Sequence, residues 1–150
     1  MRPHPYLRAY MAGIVVPTLF LLCATTVYAI HQFYLEVPSQ FIFGIPARPL
    51  ERMIMFPMAV VPNLWGVWNV VYTAMAPRRL SLGVFGAILP LMLVPLGLAL
   101  ARVIDLRVYT TGHALAILPV GMAIYYLAWK HVVAFFNRVV GLGDAYRRRP

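Results

Sequence analysis

Lysine, arginine, aspartate and glutamate are missing from four long stretches of this chain, residues 9–35, 53–77, 80–101 and 108–129. Stretches that long and that apolar exclude solvated loops. Each reaches the roughly 20 residues, at about 1.5 Å rise, that a helix needs to cross a hydrocarbon core about 30 Å thick. Acidic residues are scarce as well, four in all and none inside a run, which removes the carboxylates that a buried proton relay or an acid–base pair would use. The single cysteine, Cys23, leaves no intrachain disulfide framework and no Cys-based zinc site. Ser39 and Ser81 are the only serines, and neither has triad partners nearby in sequence. With no acid, base, nucleophile or metal constellation in view, the expectation is that the protein is not an enzyme.

Apolar side chains are what the chain has in abundance. At 62% hydrophobic over 150 residues, it carries more apolar surface than one soluble core of that size encloses. The expected fold is an all-α integral membrane protein: four transmembrane helices in an antiparallel up-down bundle with proline kinks, forming one domain over residues 1–150. Helices are expected over about 8–33, 51–76, 81–101 and 111–140.

The net charge of +9 is expected to be mostly topological. With the N-terminus on one side, that side carries Arg2, Arg8, Arg78, Arg79, Lys130, Arg138, Arg147, Arg148 and Arg149, against Arg48, Arg52, Arg102 and Arg107 on the other. The positive-inside rule then puts both termini in the cytoplasm, in a multi-pass protein of the cell membrane, expected to be a prokaryotic inner membrane. Nucleic acid is not expected as a partner, because the basic residues follow a membrane boundary and lack a folded reading element. Arg147, Arg148 and Arg149 are expected to meet anionic lipid headgroups instead. Arg2 and Arg8 before an apolar stretch ending in Val27-Tyr28-Ala29 resemble a signal peptide. Because the run continues through Ile30 and Phe33, a retained signal-anchor helix is the expectation.

Between the first two helices, Pro38, Gly44, Pro46 and Pro49 interrupt regular structure while Phe41, Ile42, Phe43 and Ile45 stay apolar, so this loop is expected to lie on the membrane, on its own bundle or on another subunit. Helix two separates into two faces. At about 100° per residue from Asn63, the positions Ala59, Gly66, Asn69, Thr73 and Ala74 fall within about −120° to +20°, and Trp65, Trp68, Tyr72 and Val61 within about 140° to 200°. Asparagine is costly in hydrocarbon unless paired, so the small, polar face is expected to point at other helices, with Gly66 allowing close approach. Asn63, Gly66, Asn69 and Thr73 are therefore the candidate packing or binding residues. Pro62, just before Asn63, frees a carbonyl one turn earlier and adds a substrate or ion site to what this locus can offer. Prolines recur in every expected helix, at Pro17, Pro57, Pro62, Pro90, Pro95 and Pro119, so kinking is general.

The turn at Ala76-Pro77-Arg78-Arg79 makes helices two and three antiparallel neighbours. In helix three, Gly83 with Ala87 and Gly97 with Ala101 form small-residue pairs suited to close contact. Arg102, Asp105 and Arg107 are expected to form a solvated ion-pair cluster. Helix four passes Tyr125, Tyr126 and Trp129 and is expected to run long or bend into an amphipathic segment, with Lys130, Asn137 and Arg138 on one side, ending at Gly141 or Gly143.

His31 and His113 lie at similar heights on different helices. No cofactor is the main expectation, but two such imidazoles suit axial haem ligation, or a metal shared with Glu36, Glu51 or Asp105. The functional expectation is a non-catalytic membrane subunit, or an assembly or scaffold protein, partnered by the lipid bilayer and by other membrane subunits or itself. The alternatives are a small oligomeric transporter or channel with a site near Asn63 and Asn69, and a haem- or quinone-binding membrane protein using His31 and His113.

Overall fold

A computed structural model describes residues 4–34, 41–42, 45–75, 80–103 and 111–142. Within these, the side chains of 32, 41, 42, 45–59, 100, 101, 103, 111, 113 and 114 lie outside the description. The described chain is helical apart from one minimal ladder. α1 spans Pro5–Ala29 and passes into a wide π turn, Ile30–Tyr34. β1 (Phe41–Ile42) pairs antiparallel with β2 (Ile45–Pro46), Phe41 opposite Pro46. α2 is Ala47–Ala74 and α3 is Leu82–Val103. α4, Thr111–Leu127, continues through a second π turn, Ala128–Val133, into α5, Ala134–Val139. Among the described residues, three helical stretches are long and apolar enough to cross a membrane by length and composition: Pro5–Ala29, Leu82–Ala99 and Leu115–Val139.

Proline explains where two helices begin. α1 starts at Pro5 and not near Arg8, since a first-turn proline has no N–H to leave unpaired and its φ is already helical. α2 starts at Ala47, four residues before the expected Glu51. Pro49 falls in its first turn, where proline is tolerated instead of breaking the helix. α3 is opened by Ser81, whose hydroxyl accepts from the Val84 N–H at 3.3 Å while its carbonyl takes the Phe85 N–H at 2.9 Å. α5 ends where expected. Gly141 takes φ 74°, its N–H reaches the Arg138 carbonyl at 2.9 Å, and the Leu142 N–H reaches the Asn137 carbonyl at 2.8 Å, which together make a Schellman cap with Leu142 fully buried.

α2 lies mainly on α1, and α3 mainly on α4 and the π turn that follows it. Helices two and three, expected as direct neighbours, meet chiefly through aromatic side chains. Along α1 and α2, contacts ascend in one helix as they descend in the other: Ala9 with Asn69, Gly13 with Gly66. α3 and α4 are opposed as well: Gly83 and Gly86, early in α3, lie against Tyr126, Trp129 and Lys130 at the end of α4 and in the turn after it, while Pro90, Leu93 and Val94 share a hollow with Ile117, Leu118, Gly121 and Tyr125. The α1–α2 crossing is close because both helices present glycine. A Cβ on Gly13 would lie 2.6 Å from the Trp65 carbonyl oxygen and 2.9 Å from the Gly66 Cα. Burial gathers at the end of the bundle that holds residues 9–17, 65–73, 83–90 and 129–142. Leu19, Phe20, Leu91, Met92, Ile117 and Val120, further along their helices, are exposed.

The expected turn at 76–79, the cluster of Asp105 and Arg107, Glu36 and Arg147–Arg149 lie outside the described residues, as does most of the loop between the first two helices.

Candidate functional site

Asn69, on the face of α2 that meets α1, is fully buried. Its Nδ2 donates to the Ala9 carbonyl at 2.7 Å and to Asn137 Oδ1 at 2.8 Å, and Asn137 Nδ2 returns a bond to Asn69 Oδ1 at 3.2 Å. Thr73, one turn on and also buried, donates to the Asn69 carbonyl at 2.8 Å. A carboxamide in apolar surroundings costs several kcal/mol on the order of 2–7 if left unbonded, so the reciprocal pair is what makes its burial tolerable. Three segments are needed to build it. The Gly13–Gly66 crossing brings the α1 backbone within reach, and the π turn before α5 aims Asn137 inward.

That second step corrects the expected grouping of Asn137 with Lys130 and Arg138. The latter two are exposed, whereas Asn137 is 3% exposed. In the π turn each hydrogen bond spans five residues instead of four, so the residues after it are rotated relative to those before. Uniform helical arithmetic misses that rotation.

The opposite face of α2 is covered too. Trp65 packs on Tyr125 and Trp129, with ring centroids at 4.9 and 5.4 Å, and Trp68 stacks on Phe85 at 4.6 Å and 23°. Tyr72 also meets Phe85, at 5.2 Å. The Trp68 indole N–H donates to the Phe85 carbonyl at 2.9 Å. Trp129 is wholly buried against Gly86, and its indole N–H has no partner among the described residues. α2 is thus the central helix of the described bundle, bound to α1 and α5 by small and polar groups and to α3 and α4 by rings.

Comparison with protein-family models, curated proteins and solved structures finds no match to this chain.

Of the four candidate residues on α2, the structure brings Gly66, Asn69 and Thr73 into the interior and leaves Asn63 exposed at its margin. Asn63 accepts a hydrogen bond from the Tyr10 hydroxyl on its Oδ1. Asn63 and Asn69 therefore do not converge: one faces Tyr10, the other Ala9 and Asn137. His31 sits in the π turn after α1 and is half-buried, and His113 belongs to the first turn of α4 with its side chain outside the described residues. Among the described residues no three His, Cys, Asp or Glu side chains gather to hold a metal. Sequence reasoning missed Tyr10, Gly13 and the role of Arg8, whose guanidinium donates to the Val140 carbonyl at 2.9 Å.

Proposed function

We propose that this chain is a non-catalytic integral membrane subunit or assembly protein, working within a homo-oligomer or a larger membrane complex. In this reading four transmembrane helices form an antiparallel up-down bundle with proline kinks, in a prokaryotic inner membrane, with both termini cytoplasmic. The observation that carries it is the closed Asn69–Asn137–Ala9 group, whose buried carboxamides bond one another and the α1 backbone. Polar residues used this way hold helices together. The opposed contact order of α1 with α2 and of α3 with α4 supports the bundle topology. The Arg8–Val140 bond supports termini on one side, since it ties the first helix to the end of the last.

The test is extraction from native membranes in mild detergent, followed by native mass spectrometry. Discrete homo-oligomers or stoichiometric membrane partners are the expected result. A chain that runs alone as a monomer in every mild detergent overturns the reading.

A further inference from the structure

From Thr111 to Val139 the last helical path, through α4, its π turn and α5, runs about 43 Å at about 1.5 Å per residue, against roughly 30 Å of hydrocarbon. The charge-free run closes at Trp129, so Lys130 marks where this path leaves the acyl chains. Beyond it the segment crosses the end of the bundle obliquely. A Cβ on Gly83 of α3 would lie 3.1 Å from the Lys130 Cβ, Asn137 bonds Asn69 of α2, and the Val140 carbonyl meets Arg8 of α1. The inward face, Val133, Asn137 and Leu142, is buried. The outward face mixes apolar and basic side chains. Val132, Phe135 and Val139, spaced three and four apart, are 41, 51 and 65% exposed, and Lys130, His131 and Arg138 are exposed among them. No aspartate or glutamate occurs between Arg107 and Asp144 to neutralise these cations.

We infer that this outward face docks on an anionic lipid leaflet, with Val132, Phe135 and Val139 entering the boundary of the acyl chains and Lys130 and Arg138 meeting headgroup phosphates. The inference rests on the membrane reading above and assigns a surface to its lipid partner. Two considerations select anionic lipid. Exposed valine and phenylalanine interleaved with cations, at the place where a spanning helix emerges, are the composition of a segment lying in the headgroup layer, and both cations have stems long enough to reach phosphate from it. With no acid nearby, their charge is complementary to anionic headgroups and indifferent to zwitterionic ones. Phe20, Leu91, Met92 and Val120, exposed within the charge-free runs, need only hydrocarbon. Arg8 plays a different part: its guanidinium is engaged by the carbonyls of Val140 and Gly141, which holds the segment in place.

The experiment uses the full chain with Cys23→Ser and Val139→Cys, labelled with bimane at the sole thiol. It is reconstituted in phosphatidylcholine vesicles holding a small fraction of spin-labelled phosphatidylglycerol or, in parallel, of spin-labelled phosphatidylcholine. The anionic quencher is expected to associate about tenfold more strongly than the zwitterionic one at low salt, the order set by two surface cations, and the preference is expected to shrink at high salt. Lys130→Gln together with Arg138→Gln is expected to abolish the preference while quenching by phosphatidylcholine persists, since both side chains are exposed and the fold does not depend on them. The same label at Phe20→Cys, exposed along α1, is expected to show no preference. Equal quenching by the two lipids overturns the inference, and so does a preference that survives the double substitution. Quenching by neither means that water or protein covers this face, which overturns it as well and leaves the membrane-subunit reading to be decided separately by native mass spectrometry.

Discussion

Arg8, near the start of α1, donates through Nη1 to the carbonyl of Val140 at 2.9 Å, and at 3.4 Å to that of Gly141, across more than 130 residues of chain. The carbonyls it meets are those left without helical partners at the end of α5, where the helix dipole is also negative. A cation there does two things at once: it completes the cap that Gly141 begins, and it fastens the last helix to the first.

Arg8→Ala is accordingly expected to lower stability by about 1–3 kcal/mol, the range for a part-buried hydrogen bond to a charged donor. Arg8→Lys is expected to recover part of the loss, since it keeps the charge but not the fork. Thermal unfolding in detergent, followed by intrinsic fluorescence, measures the ranking. Hydrogen exchange localises it, with residues 134–142 losing protection first in the alanine variant. Equal stability of all three proteins would show that the clasp contributes nothing.

The Asn69–Asn137 pair calls for a double-mutant cycle. Asn69→Leu leaves the buried Asn137 carboxamide without either of its bonds, and Asn137→Leu leaves Asn69 Oδ1 unbonded while its Nδ2 keeps the Ala9 carbonyl, so each is expected to destabilise by about 1–3 kcal/mol. Replacing both removes the penalty along with the bonds, and the double variant is expected to cost clearly less than the sum of the singles. Unfolding titrations of the four proteins give the coupling energy directly. Additive losses would mean that the reciprocal bonds do not form.

Glycine positions separate close packing from open surface. A Cβ at Gly13 would press on the backbone of α2, at the Trp65 carbonyl and the Gly66 Cα, and neither can yield without moving the helix. Gly13→Ala is expected to cost about 1–3 kcal/mol through overpacking, and to weaken the Asn69 bond to Ala9 by pushing the two backbones apart. Gly97 has nothing within 4 Å of the added atom. Gly97→Ala is expected to be neutral or to stabilise by up to about 1 kcal/mol from helix propensity. Opposite signs in the same unfolding assay are the prediction, and a destabilised Gly97→Ala protein would contradict the open position.

How much of this was legible in the sequence depended on how local the cause was. Charge-free runs set three of the long apolar helices to within a few residues, and Gly141 was readable as a stop because a left-handed cap is a property of one residue and its neighbours. The inward face of Asn69, Gly66 and Thr73 followed from the helical repeat and the cost of burying carboxamides. Asn137 did not follow, because the π turn at Ala128–Val133 shifts its phase and no single residue there announces the change. Gly13 was passed over for a related reason. A glycine in an apolar helix is common, and only the position of Gly66 on the facing helix makes it a crossing point. Arg8 counted as an interfacial charge, since its partners are backbone carbonyls at the far end of the chain.

The aromatic layer distinguishes a ring that fills space from one that also bonds. Trp129 is fully buried between Gly86 and Trp65, so Trp129→Ala leaves a cavity that the glycine cannot fill, and a loss of about 3–5 kcal/mol is expected. Trp68→Phe keeps a ring for stacking on Phe85 and gives up the indole bond to the Phe85 carbonyl, for an expected loss of about 0.5–1.5 kcal/mol. Trp129→Phe belongs between them, because its indole N–H has no partner among the described residues to lose and only volume is at stake. Unfolding free energies for the three variants test the order. A Trp68→Phe protein as damaged as Trp129→Ala would mean that the indole–carbonyl bond, and not ring packing, dominates the contact between α2 and α3.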